Sequence, residues 1–113
     1  MINLLVDEAY AFDYLSILDI KKTINSQNQR MYLECLDSLS KQIDKKIFFQ
    51  ILSSSEYINL LHTNQEVFDA VEQARYGNIS AKEVDEKNMK RYHAKQQLQN
   101  KFFSSHPITE FKT

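Results

Sequence analysis

The sequence predicts an all-α protein folded as an up-down-up-down four-helix bundle. Three observations carry that prediction. The 113 residues hold one glycine and one proline, whereas sheets and tight hairpins consume both residues and helix interiors avoid them. Apolar residues recur three and four positions apart along most of the chain. Serine-led capping boxes and the lone Gly77 fall where those stripes start and stop.

The first helix is predicted over about 3–22. Leu4, Ala11, Tyr14, Leu15 and Leu18 form one stripe, while Val6, Tyr10, Ile17 and Ile20 lie off it, so the helix is apolar over most of its circumference. Asp7 and Glu8 come early and Lys21 and Lys22 late, the order that the helix dipole favours. The second helix is predicted over about 27–52, opened by Ser26 and Gln29 as a capping box. Its stripe is Tyr32, Cys35, Leu36, Leu39, Ile43 and Ile47, and its end, "IFFQIL", is apolar on nearly every side.

Ser53 and Glu56 form the box that opens a third helix over about 55–76, with Tyr57, Leu60, Leu61, Val67, Phe68, Val71 and Ala74 on one face. Gly77 and Asn78 supply left-handed residues after it. Ser80 and Glu83 open the fourth helix, over about 80–103, with Ile79 as its staple. A break near Ile47 or a kink near Thr63, where Thr63 and Glu66 repeat the box, would divide the bundle into shorter helices. Residues 1–103 form one domain in this reading. Residues 104–113 form a C-terminal tail, in which Pro107 forbids further helix and Ile108 and Phe111 are placed to pin it to the bundle.

Composition limits function. With 42% hydrophobic and 26% charged residues the chain reads as a soluble globular domain. A net charge of -1 gives no general attraction to nucleic acid or to an anionic membrane. No stretch approaches the ~20 apolar residues of a membrane span, and the N-terminus lacks the basic start of a signal peptide. Cys35 is the single cysteine, which excludes an internal disulfide and an all-cysteine metal site. A cytoplasmic location is expected.

Specific chemistry finds little support. The stretch from Gln65 to Glu86 has the outline of a helix-turn-helix, but Ala74 and Gly77 are three apart where that motif needs four. Its basic residues (Lys82, Lys87, Lys90, Arg91, Lys95, Lys101) are mixed with Glu83, Asp85 and Glu86, giving a solvated face rather than the concentrated positive one that phosphates need. Nucleic-acid binding through this helix is therefore a third-ranked reading. His62, His93 and His106 have no partner at metal-binding helical spacing. The carboxylate pairs Glu34–Asp37, Glu66–Asp69 and Glu83–Glu86 lie opposite their apolar stripes and do not converge. No metal, cofactor or catalytic residue is expected, and the chain is not expected to be an enzyme.

Two features remain. First, polar residues interrupt the inward stripes: Asp7 on the first helix, Asn64 on the third, and Asn88, Tyr92, Lys95 and Gln99 on the fourth. Counting heights about the short loops places Asp7, Asn64, Tyr92 and Lys95, with Arg91 beside them, in one polar layer. Such a layer either fixes helix register or forms a pocket for a small polar or anionic ligand. Second, Val6, Tyr10 and Ile17 on the first helix, with Phe48, Phe49, Ile51 and Leu52 at the end of the second, are more apolar surface than a small monomer covers. The leading expectation is a non-enzymatic interaction module that self-associates through that surface as a homo-oligomer, a dimer being favoured, or binds another protein. The alternative is a small-molecule-binding bundle or enzyme that uses the polar layer.

Overall fold

Every helix must satisfy the first free N–H groups of its opening turn, and the five that form do so in different ways. The computed structural model describes residues 6–103. Within them the chain is all-helical: α1 (Glu8–Lys21), α2 (Ser26–Gln42), α3 (Lys45–Leu52), α4 (Ser55–Arg75) and α5 (Ala81–Phe102). Leu4 and the predicted tail 104–113 lie outside the described residues. No helix among the described residues is long and apolar enough to cross a membrane.

Caps set the boundaries. Asn25, rather than the predicted Ser26, caps α2, its side chain accepting from the N–H of Asn28 at 2.8 Å. Ser54, rather than Ser53, caps α4 by accepting from the Tyr57 N–H. The neighbouring Ser53 hydroxyl instead donates back to the Phe49 carbonyl, closing the end of α3. Ser80 caps α5 through the Glu83 N–H, as its spacing predicts. After α4, Gly77 turns left-handed at φ +73°, while Asn78 keeps a negative φ. The Asn78 N–H reaches the Gln73 carbonyl and the Gly77 N–H the Ala74 carbonyl, the paired bonds of a Schellman turn.

The predicted long second helix is two helices. Ile43 is extended at φ -124°, ψ 144°, and the Asp44 carboxylate accepts from the N–H groups of Lys46 and Ile47, starting α3 afresh. An aspartate at this point offers the backbone a capping bond in place of a helical one. The break thus falls one turn before Ile47. The chain does not kink at Thr63, whose hydroxyl folds back on the Leu60 carbonyl inside an unbroken α4.

The four-arm bundle gives way to five helices arranged about α1. The α4–α5 pair is an antiparallel hairpin, tied by Lys101–Glu56 near one end (2.8 Å) and Lys87–Glu66 further along (3.5 Å). Helix α1 packs on α2, α4 and α5, and the short α3 bridges α2 to α4. That placement follows from the first helix being apolar nearly all round, since such a helix is stable only when surrounded. Its Phe12, absent from the predicted stripe, is sealed from solvent. The ring meets those of Phe48, Tyr57 and Phe103 at 6.2, 6.4 and 6.3 Å. Leu15, Ile51, Leu60 and Leu98 complete the centre of the core.

Candidate functional site

The polar residues that interrupt the inward faces do meet, but around an acid that the height count missed. Asp13 on α1 is buried, and its carboxylate collects donors from two other helices. The Asn64 side-chain amide on α4 donates to Oδ1 at 2.9 Å and to the Ser16 hydroxyl oxygen at 2.7 Å. Arg91 on α5 forks onto both oxygens, Nε to Oδ1 at 3.2 Å and Nη2 to Oδ2 at 2.7 Å, the side-on geometry that makes an arginine pair strong. The Lys95 ammonium lies 3.8 Å from Oδ2 and 4.7 Å from the centre of the Tyr10 ring. Lys95 is only 1% exposed, and a lysine can be buried only against such a negative partner and ring face.

Gln99 works one turn lower. Its Oε1 accepts from the Ala9 N–H at 2.9 Å and its Nε2 donates to Glu8 Oε1 at 3.1 Å. Asp7, the N-cap residue of α1, makes no capping bond with its own side chain. Gln99 therefore satisfies an orphan donor of α1 from 90 residues away. Tyr92 is half-buried, its hydroxyl accepting from Gln96, and Asn88 is exposed, touching Arg91 at 3.4 Å. Of the residues predicted from sequence, Asn64 and Lys95 thus meet at Asp13, with Arg91, while Gln99 ties α5 to the start of α1. Asn88 lies at the solvent edge.

Asp13 had a legible signal. Ala9, Asp13, Ser16 and Ile20 share one face of α1 at steps of four, three and four. The height count missed it because reflection about the loops assumes an unbroken second arm, and the restart at Asp44 invalidates that assumption.

Chemically the cluster is closed. A carboxylate has about four lone-pair sites, and here the amide, the guanidinium fork and the ammonium converge on them. No group of three or more metal-ligating side chains occurs among the described residues. Four of the six basic residues of α5 are likewise engaged: Lys87, Arg91, Lys95 and Lys101 pair with carboxylates on other helices.

A second polar cluster lies between α1, α2 and α4. Lys22 bridges Asp19 at 2.7 Å and sits 4.6 Å over the Tyr32 ring. The hydrogen bond that the Lys22 ammonium donates to Asp19 holds it above its ordinary pKa. The Tyr57 hydroxyl is buried and meets no partner at hydrogen-bond geometry among the described residues. Burial first, and the Asp19 charge second, push this phenol far above its ordinary value. Burial also raises the Cys35 thiol, which leaves it the less nucleophilic protonated form.

The apolar residues predicted to form an interface divide. Phe48 and Ile51 are core residues and leave the surplus surface, because the restart at Asp44 turns that face of α3 inward. Leu52 is half-buried against the core and Tyr10 lies under Lys95. Val6 and Phe49 are exposed, Phe49 at 64%. Ile17 belongs to a groove of about 250 Å³ between α1 and α4. Its apolar lining is Ile17, Ile20, Val67, Phe68 and Val71, and the buried Asn64 lies among them. Lys21, Arg75 and Arg91 line it together with one acid, Glu72. Comparison of the chain with family models, curated proteins and solved structures finds no match in any of the three.

Proposed function

We propose that the protein is a non-enzymatic interaction module that holds another protein chain, a second copy or a different protein, in the groove between α1 and α4. The observation that carries this reading is the groove itself. Phe68 and Val71 remain 37% and 41% exposed on a helix whose opposite face is core. With Ile17, Ile20 and Val67 they form a contiguous apolar floor, and contiguous exposed apolar surface marks association sites. The polar layer supports a register role rather than a ligand site. Its side chains are spent on one another, and a buried ion pair of this kind selects one helix arrangement over its alternatives.

The test uses a photo-cross-linking side chain in place of Phe68, with light scattering of the unmodified protein over a range of concentrations. A discrete adduct, or a reversible dimer, that disappears in Val71→Asp supports the reading. The exposure of Val71 makes that variant compatible with folding, which circular dichroism checks. A strict monomer with no Val71-dependent adduct overturns it.

A further inference from the structure

We infer that the occupant of the α1–α4 groove is an acidic amphipathic helix of a different protein, an inference that rests on the interaction reading above. Three features of the groove select it. The first is shape. The groove runs along α4 from Asn64 to Arg75, roughly 16 Å at the rise of an α-helix, or about three turns. Two packed helices leave between them a seat that a third helix fills with side chains at i, i+3 or i+4, and i+7. A strand would find no unpaired backbone edge here, since both walls are helices whose main-chain groups bond internally.

The second feature is charge. Lys21 and Arg75 stand beside the floor against the single acid Glu72, and Arg91, its charge matched by Asp13, edges it. Arg75 is weakly engaged, 3.5 Å from Glu72 with a side chain 70% exposed, and its guanidinium can turn to a carboxylate of a partner. Arg91 is oriented by its fork onto Asp13, which holds it at the groove. Interfaces pair patches of opposite sign, and the pairing sets partner choice more than affinity.

The third feature argues against a second copy. Two copies meeting groove to groove about a twofold axis would present the same patch to itself. Two concave grooves set face to face would leave both floors unfilled, whereas a single helix with acids flanking its apolar stripe fills one and meets its excess of cations.

The experiment titrates the isotope-labelled protein with two synthetic helices of about 15 residues, long enough to be helical. They share one leucine face and differ only in carrying glutamate or lysine elsewhere. The expected result is that the glutamate helix shifts the methyl resonances of Ile17, Ile20, Val67 and Val71, and that added salt weakens it. The lysine helix leaves them unmoved. Val71→Asp abolishes the shifts, and Arg75→Gln weakens binding roughly two- to fivefold, the scale of one exposed ion pair. Equal response to both helices, shifts confined to other surfaces, or no response to either overturns the acidic-helix assignment. Light scattering separates the two levels. A dimer lost in Val71→Asp overturns the inference and leaves the interaction reading standing. A strict monomer that binds neither helix and gives no Val71-dependent adduct overturns both.

Discussion

The α4–α5 hairpin has two halves of very different character. In the half nearer the core, Tyr57, Leu60, Thr63 and Asn64 face Ala94, Lys95, Leu98 and Gln99, and all are buried. In the other half, from Gln65 round the Gly77 turn to His93, only Ala70 is buried. The two helices are continuous through both halves and their capping is sound at each end. What differs is the company. One half is covered by α1, and α3 packs on α4. The other meets α1 along a groove and is otherwise open. A two-helix hairpin cannot enclose a core, so burial arrives only with a third helix. The same difference assigns roles: the enclosed half sustains a buried lysine, and the open half carries the apolar floor of the groove.

Substitutions can break this contrast, and the enclosed half has the most to lose. We predict that Phe12→Ala costs roughly 3–5 kcal/mol as a core truncation. Asp13→Leu costs a similar amount, roughly 3–5 kcal/mol, because it removes the buried carboxylate that Asn64, Arg91 and Lys95 share. Urea unfolding measures both, and Asp13→Leu combined with Lys95→Met should recover part of the loss. If Asp13→Leu is neutral, the ion-paired layer does not hold the enclosed half together.

Gln99→Leu should cost about 1–3 kcal/mol, the penalty for an orphaned buried donor, here the Ala9 N–H. Hydrogen exchange at the start of α1 localises the effect. Uniform acceleration throughout the molecule would contradict a capping role.

The buried Tyr57 sharpens the comparison through pH. Its folded pKa is raised, so the folded state holds the phenolic proton more tightly than the unfolded chain does. That stability is fully present below the unfolded phenol value near 10 and is lost progressively as pH rises above it. Unfolding free energy should therefore fall above about pH 10 in the wild type and fall less in Tyr57→Phe. Parallel curves for the two proteins would refute the assignment.

The smallest effects belong to the open half. Val71→Ser should change stability by no more than about 0.5 kcal/mol, as for surface sites outside a core. Amides of Val84 to Asn88 should exchange faster than those of Ala94 to Leu98. Equal protection in both halves would mean that the open half is covered in solution.

Much of the local structure was legible. Ser80 as a cap, Gly77 as the left-handed stop, Lys95 and Gln99 as inward polar residues and the all-round apolarity of α1 each follow from neighbours within a turn or two. Asp44 was as readable a cap as Ser80, yet the apolar run after it concealed a helix start. Asp13 was harder. Its position among Ala9 and Ser16 marks a polar seam, but its partners lie 51 and 78 residues away, and only the packing of α1 brings them near. The fate of Phe48 and Phe49 shows the same limit. Adjacent and chemically identical, one is core and the other 64% exposed, because the restart at Asp44 decides which way α3 faces.

The sequence by itself determined that the chain is helical and where most helices stop, since capping, propensity and the cost of glycine and proline act over a few residues. It also determined that a charged side chain, Lys95, would have to be buried on α5. Only the tertiary structure decided which acid receives it, which apolar face is core and which is groove. Those outcomes depend on the angle and offset at which helices cross, and these are set by side chains far apart in the chain packing to a common density.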